Sequence, residues 1–217
     1  MSKTEKRSLA LAALIYAATL IYSFVVNFPD RAMNTRFNMT FVAILCPLIV
    51  PVLFKLFKWK PISEIYIINL IFCYFASLIG SCLGGYSVPY FDKVVHFGFG
   101  FCGIEIAYLL YMILKRSSKL DSIQEWHIFL VFVNAVNTAI AVYWEFYEYA
   151  MLIFFNNDAI NHYTSGVHDT ITDMLVCVAG GLVVTGFLIS ANRSGKDNFF
   201  TRLPQKFYDL NLAHRNG

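Results

Sequence analysis

Six apolar runs, at about residues 8–27, 37–57, 64–84, 93–114, 126–155 and 169–190, each reach the length needed to cross the hydrocarbon core of a bilayer, about 20 residues for a helix. No water in that core can satisfy a backbone amide, so a spanning segment must bond to itself, and runs of this length fold as helices. The expected fold is all-α: a polytopic membrane helix bundle of about six transmembrane helices, forming a single integral membrane domain over residues 1–217. Composition agrees with it. Charged residues make up 14% of the chain and hydrophobic ones 58%, whereas a soluble domain carries about a quarter charged residues. The net charge of +3 is small and spread among the loops, which excludes a nucleic-acid surface.

The runs carry further detail. Lys3, Lys6 and Arg7 precede the first in the manner of a signal peptide, but no small-x-small cleavage site closes it, so an uncleaved helix is expected. Pro47 and Pro51 predict a kink in the second, with neighbours supplying the missing bonds. Gly100 and Gly103 in "HFGFGFCG" offer a face for close helix packing. Cys46, Cys73, Cys82, Cys102 and Cys177 all fall in apolar runs without a CxxC pair, which reads as buried small hydrophobes rather than a disulfide framework or a thiolate zinc site.

Lysine and arginine give the orientation. The N-terminus holds Lys3, Lys6 and Arg7, and the loop after the second run Lys55, Lys58 and Lys60. The loop after the fourth holds Lys115, Arg116 and Lys119, and the tail Arg193, Lys196, Arg202, Lys206 and Arg215. The alternate loops offer only Arg31, Arg36 and Lys93. The positive-inside rule then places both termini of this multi-pass protein in the cytoplasm.

With that topology, three runs deliver pairs of ionisable residues to one leaflet. "FDKVVHFGFG" sets Asp92 and His96 at i and i+4, "VYWEFYEYAM" sets Glu145 and Glu148 at i and i+3, and "HDTITDML" sets Asp169 and Asp173 at i and i+4. These spacings make each pair neighbours on one helix face. At about 100° per residue, Asn134, Asn137, Thr138, Ala141, Glu145 and Glu148 share a stripe on the fifth run, a polar seam expected to face inward. Five carboxylates have only Lys93 and, if protonated, His96 as nearby cations, so a bound cation or shared protons must relieve their repulsion. Carboxylates with one imidazole suit a divalent Zn, Fe, Mn or Mg ion, or a two-metal cluster of the kind helix bundles build. Asp92 and Asp169 equally suit helix N-caps, and Glu148 the headgroup region. His168 and His162, in the loop before the sixth run, are either further ligands or solvated. Glu105 falls about 180° around its helix from His96 and belongs to another contact, and His127 to the opposite interface.

"YFDKVVHFGFG", "YWEFYEYA" and "SGVHDTITDMLVCVAGG" resemble the YjdF-like bacterial inner-membrane proteins, a domain family of unknown function. That family's Asp-x-x-x-His-Phe, Glu-x-x-Glu and Asp-x-x-x-Asp-Met motifs fall on Asp92 and His96, on Glu145 and Glu148, and on Asp169 and Asp173. Gly166 and His168 stand where the family pattern has an acidic residue and a tryptophan, so the resemblance gives His168 no part as a ligand. It implies a polytopic membrane protein and brings no reaction with it.

Three functions fit these residues. The first is a metal-dependent enzyme acting on a membrane lipid or lipid-linked substrate, with Glu145 or Glu148 as general base. The second is a non-catalytic membrane factor held together by the cluster, and the third a cation or proton transporter using the polar seam. The upstream Asp-x-x-Asp-Gly pattern of CDP-alcohol phosphotransferases is missing. Reporter fusions after Lys60, Lys119 and Gly217 are expected to read cytoplasmic, and one near Asn157 external. A cytoplasmic signal at Asn157 would overturn the shared leaflet, which depends on three helix ends lying on one side.

Overall fold

The computed structural model describes residues 1–29, 31 and 35–213. Arg215, among the tail cations behind the expected orientation, and the fusion point Gly217 lie outside the described residues. Every element among the described residues is helical. All six apolar runs become helices long and apolar enough to cross a membrane: Lys3–Asn27, Thr35–Leu56, Ser63–Cys82, Phe91–Lys115, Ile123–Phe154 and Val167–Ser194. The chain's contacts group into two compact units, Met1–Val95 and His96–Gly217.

In the first unit, α1 (Lys3–Asn27) starts with a capping box in which the Ser2 hydroxyl accepts from the Glu5 amide and the Glu5 carboxylate from the Ser2 amide. The second run is broken as expected, into α2 (Thr35–Leu45), a 3-10 turn at Cys46–Leu48 and α3 (Ile49–Leu56). Pro51 has no amide hydrogen to give the Pro47 carbonyl four residues back. Asn69 of α4 (Ser63–Cys73) supplies the bond instead, its Nδ2 donating to that carbonyl at 2.9 Å. Beyond α4 the helix widens into π-type turns at Tyr74–Cys82. There the Asn27 amide donates to the Cys82 carbonyl at 3.0 Å. Tyr16, Ala43, Cys73, Leu78 and Cys82 form the buried core of this unit.

α5 (Phe91–Lys115) begins in the first unit and continues into the second, which adds α6 (Ile123–Phe155), α7 (Val167–Ser194) and α8 (Phe199–Asn211). The register of α5 on α7 is set by glycine. A Cβ on Gly100 would strike the Cys177 carbonyl oxygen, and one on Gly180 the Phe97 carbonyl oxygen. Backbones come this close only where side chains are missing, the usual device for helices in lipid. His96 faces Asp173, Gly100 faces Cys177 and Ile104 faces Gly181. Each pair stands four residues on from the last in both helices, so α5 and α7 run parallel.

α6 runs against them. Trp144 meets Phe99, Asn137 meets Gly103 and Gly181, and Phe129 meets Tyr108 and Tyr111. Ile104, Ala107, Phe129, Val133, Val184 and Leu188 make the core. α8, an amphipathic helix capped by Asn198, folds back on α7. Phe200 packs against Phe187, and Asn198 Nδ2 donates to the Phe187 carbonyl at 2.8 Å. All five cysteines are free thiols, with Cys73, Cys82 and Cys177 buried.

Gly98 faces open space, with nothing within 4 Å of an added Cβ. Gly98→Ala is therefore expected to change stability by no more than about 1 kcal/mol. Gly100→Ala and Gly180→Ala, which press a methyl onto a carbonyl, should each cost about 1–3 kcal/mol. Thermal unfolding in detergent reads the difference, and equal melting temperatures for all three would refute the close α5–α7 contact.

Candidate functional site

The α5–α7 register carries His96 to within 4.0 Å of Asp173, measured from Nε2 to Oδ1. Both are buried, Asp173 almost completely at 1% exposure. α6, antiparallel to both, adds its carboxylates at the same level. Ligand atoms of His96, Glu145 and Glu148 all lie within 4.8 Å of one another. Two ligands of one ion at about 2.0–2.2 Å need only a small rotamer adjustment from that spacing to share it. Glu145 is buried and Glu148 half-buried, so the group runs from the interior of the unit to its edge.

Asp92 stands one turn before His96 on the same helix, half-buried, with Lys93 Nζ 3.9 Å from its Oδ2. Asp169 is placed differently. Its Oδ2 accepts from Asn161 Nδ2 at 2.6 Å, and among the described residues it joins no group of three potential ligands. Asn161 heads a hydrogen-bonded loop, its carbonyl accepting from the amides of Thr164, Ser165 and Gly166, so Asp169 ties that loop to the start of α7. His162 and His168 are exposed and join no such group either.

The seam on α6 lies largely as its spacing implies. Asn137 and Ala141 are buried. Asn134 Nδ2 donates to Thr185 Oγ1 at 3.0 Å, and that hydroxyl donates back to Asn134 Oδ1 at 3.2 Å. Thr138 differs: it is exposed, and its hydroxyl donates to the Asn134 carbonyl of its own helix at 2.9 Å. Glu105, on the far side of α5 from His96, has both carboxylate oxygens buried, with no hydrogen-bond partner among the described residues. His127 is exposed.

One contact was not anticipated from the sequence. Trp144 Nε1 donates to Glu148 Oε1 at 2.8 Å, and the indole packs against Phe99 and Tyr147 at ring-centroid distances of 5.8 and 5.5 Å. The i, i+4 spacing of Trp144 and Glu148 was the available signal. Electrostatics sharpen the chemistry. Residues 94–114, 126–155 and 167–192 contain no Lys or Arg, so the helices bearing Glu145, Glu148 and Asp173 bring no fixed positive charge of their own to that depth.

Residues 8–194 match the family described as "Predicted membrane protein (DUF2238)". The chain belongs to this family, the YjdF-like membrane proteins. The match runs from α1 to the end of α7 and so takes in every span and every residue of the group. No curated protein and no solved structure matches the chain.

Proposed function

We propose that His96, Glu145, Glu148 and Asp173 bind a divalent metal ion, and that the site acts on a lipid or lipid-linked substrate. The observation that carries this reading is the convergence of one imidazole and two carboxylates within 4.8 Å inside segments of membrane-spanning length. Charge there is expensive, and ionisable side chains in such segments mark function or pairing. Imidazole with carboxylates suits Zn, Fe or Mn and tolerates Mg less well.

The ion would polarise a phosphoryl or carbonyl oxygen, or make a bound water a better nucleophile. Glu148, at the edge of the group, is placed to move a proton as general base. Glu145, deeper, holds the ion. Asp169 anchors the loop above the group through Asn161. In this reading the termini are cytoplasmic, the membrane is the inner one, and the site opens to its outer leaflet.

Metal content and melting temperature test it together. Purified protein is expected to carry stoichiometric metal, and a chelator to lower its melting temperature by an amount that added metal restores. Saturation a hundredfold above the dissociation constant stabilises the folded state by about 2.7 kcal/mol. His96→Ala and Glu145→Gln should lose most of that response, and Glu105→Gln, on the other side of α5, should keep it. The response should fade as the medium becomes acidic, because the ligands bind metal only when deprotonated. Protein without metal, indifferent to chelator, would leave a hydrogen-bonded cluster that only holds the helices together.

A further inference from the structure

We propose that Phe99, Trp144 and Tyr147, with Glu148, form the membrane-facing wall of this site, and that the wall receives the ammonium headgroup of a membrane amphiphile. The proposal rests on the reading above in taking the group as a ligand site, and it names the class of substrate that site takes.

The rings stand at 5.8 Å (Phe99 to Trp144) and 5.5 Å (Trp144 to Tyr147). Phe99 and Trp144 are half-buried, and Tyr147 is 52% exposed. The cluster therefore leads from the outside of the helices to the buried acidic group. The N–H bond from Trp144 to Glu148, at 2.8 Å, lies in the plane of the indole. It fixes the carboxylate beside the ring, with the Phe99 and Tyr147 rings tilted against the same indole by 44° and 48°. A cation is held over an aromatic face within about 6 Å of the ring centre, best over Trp, and quaternary ammonium groups are the common case.

Charge selects among amphiphiles. Glu145, Glu148 and Asp173 bring three formal negative charges, and residues 94–114, 126–155 and 167–192 hold no Lys or Arg; Lys93, just before the first of these stretches, stands 3.9 Å from Asp92. Even a divalent ion leaves one negative charge over. An anionic headgroup is repelled from this wall and an ammonium attracted to it. Depth agrees. Tyr143, Tyr147 and Tyr149, all exposed on the same stretch of α6, are of the residue type that sits at headgroup level in membrane proteins.

The test uses full-length protein in maltoside detergent carrying Trp59→Phe and Trp126→Phe, so that Trp144 is the single tryptophan. It is titrated with dodecyltrimethylammonium and with the uncharged octaethylene glycol ether of the same chain. A saturable change in Trp144 emission is expected with the ammonium and none with the ether. Phe99→Ala and Tyr147→Ala should each weaken it about two- to fivefold, and Glu148→Gln more, with Phe99→Ala and Tyr147→Ala leaving metal content unchanged. Native mass spectrometry of protein with all three tryptophans gives an independent measurement. It should retain phosphatidylethanolamine in preference to phosphatidylglycerol. Equal responses to both detergents, or aromatic variants that titrate like the parent, overturn the wall. Metal-loaded protein without an ammonium-specific response defeats the wall alone. An ammonium-specific response from protein that holds no metal defeats the metal reading alone.

Discussion

The contact of two helix backbones at Gly100 and Gly180 is what the candidate site depends on. With a carbonyl oxygen standing where either glycine's Cβ would be, α5 cannot slide along α7 without a clash, and parallel helices locked there bring His96 opposite Asp173 one turn away. α6 completes the layer from the antiparallel direction with Glu145 and Glu148. Three long helices hold these side chains, and a site on helices is positioned more closely than one on loops. In lipid the same lock has a second reason. Helices there gain little from hiding apolar surface from each other, so close van der Waals approach at small residues provides much of the association.

Against that gain stands the cost of the carboxylates. Desolvating one ion costs several kcal/mol even after relaxation, and residues 94–114, 126–155 and 167–192, which hold His96, Glu145, Glu148 and Asp173, contain no Lys or Arg to offset it. A chain that needed only to join three helices could use apolar residues here at no such cost. His96 matters to the choice between cations. A neutral imidazole adds a donor without adding charge, which suits a metal ion and would do nothing for a bound Na⁺ or K⁺ that carboxylates and carbonyls already serve.

Much of this was legible in the sequence because length and period are what a sequence records directly. The six spans followed from apolar length, the break at Pro47 from a missing amide, and the inward stripe of Asn137, Ala141 and Glu145 from a 3.6-residue period. Asn69 as the donor that repairs the Pro47 carbonyl was not legible, since it lies 22 residues away and only packing selects it. The π-type turns at Tyr74–Cys82 leave the hydropathy of the run unchanged and so left no trace. α8 was missed because it is short, contains Pro204 and mixes charged with apolar residues, which reads as a tail unless its Phe200, Leu203 and Phe207 face is followed. Asp169 shows the limit most clearly. Its spacing from Asp173 is that of a ligand pair, but Asn161, at the head of an irregular loop, engages its carboxylate.

The seam below the site bears on which functions the fold permits. Asn137 lies eight residues before Glu145 on α6, about 12 Å deeper at 1.5 Å per residue. Its amide fills the space between Gly103 and Gly181 so fully that neither glycine has room for a methyl group. One further turn along, Asn134 and Thr185 are bonded to each other. The stripe is polar, yet its polar atoms are wedged or paired, and a hydrated ion leaving the acidic group in that direction would have to part α6 from α5 and α7. A transporter must reach its site from both sides in turn, through a motion that would undo the contacts at Gly103 and Gly181. A binding or catalytic site needs access from one side only. On the other side Asn137 lies against Gly103 and Gly181, a packing that uses the same absence of side chains on α5 and α7 that sets His96 against Asp173.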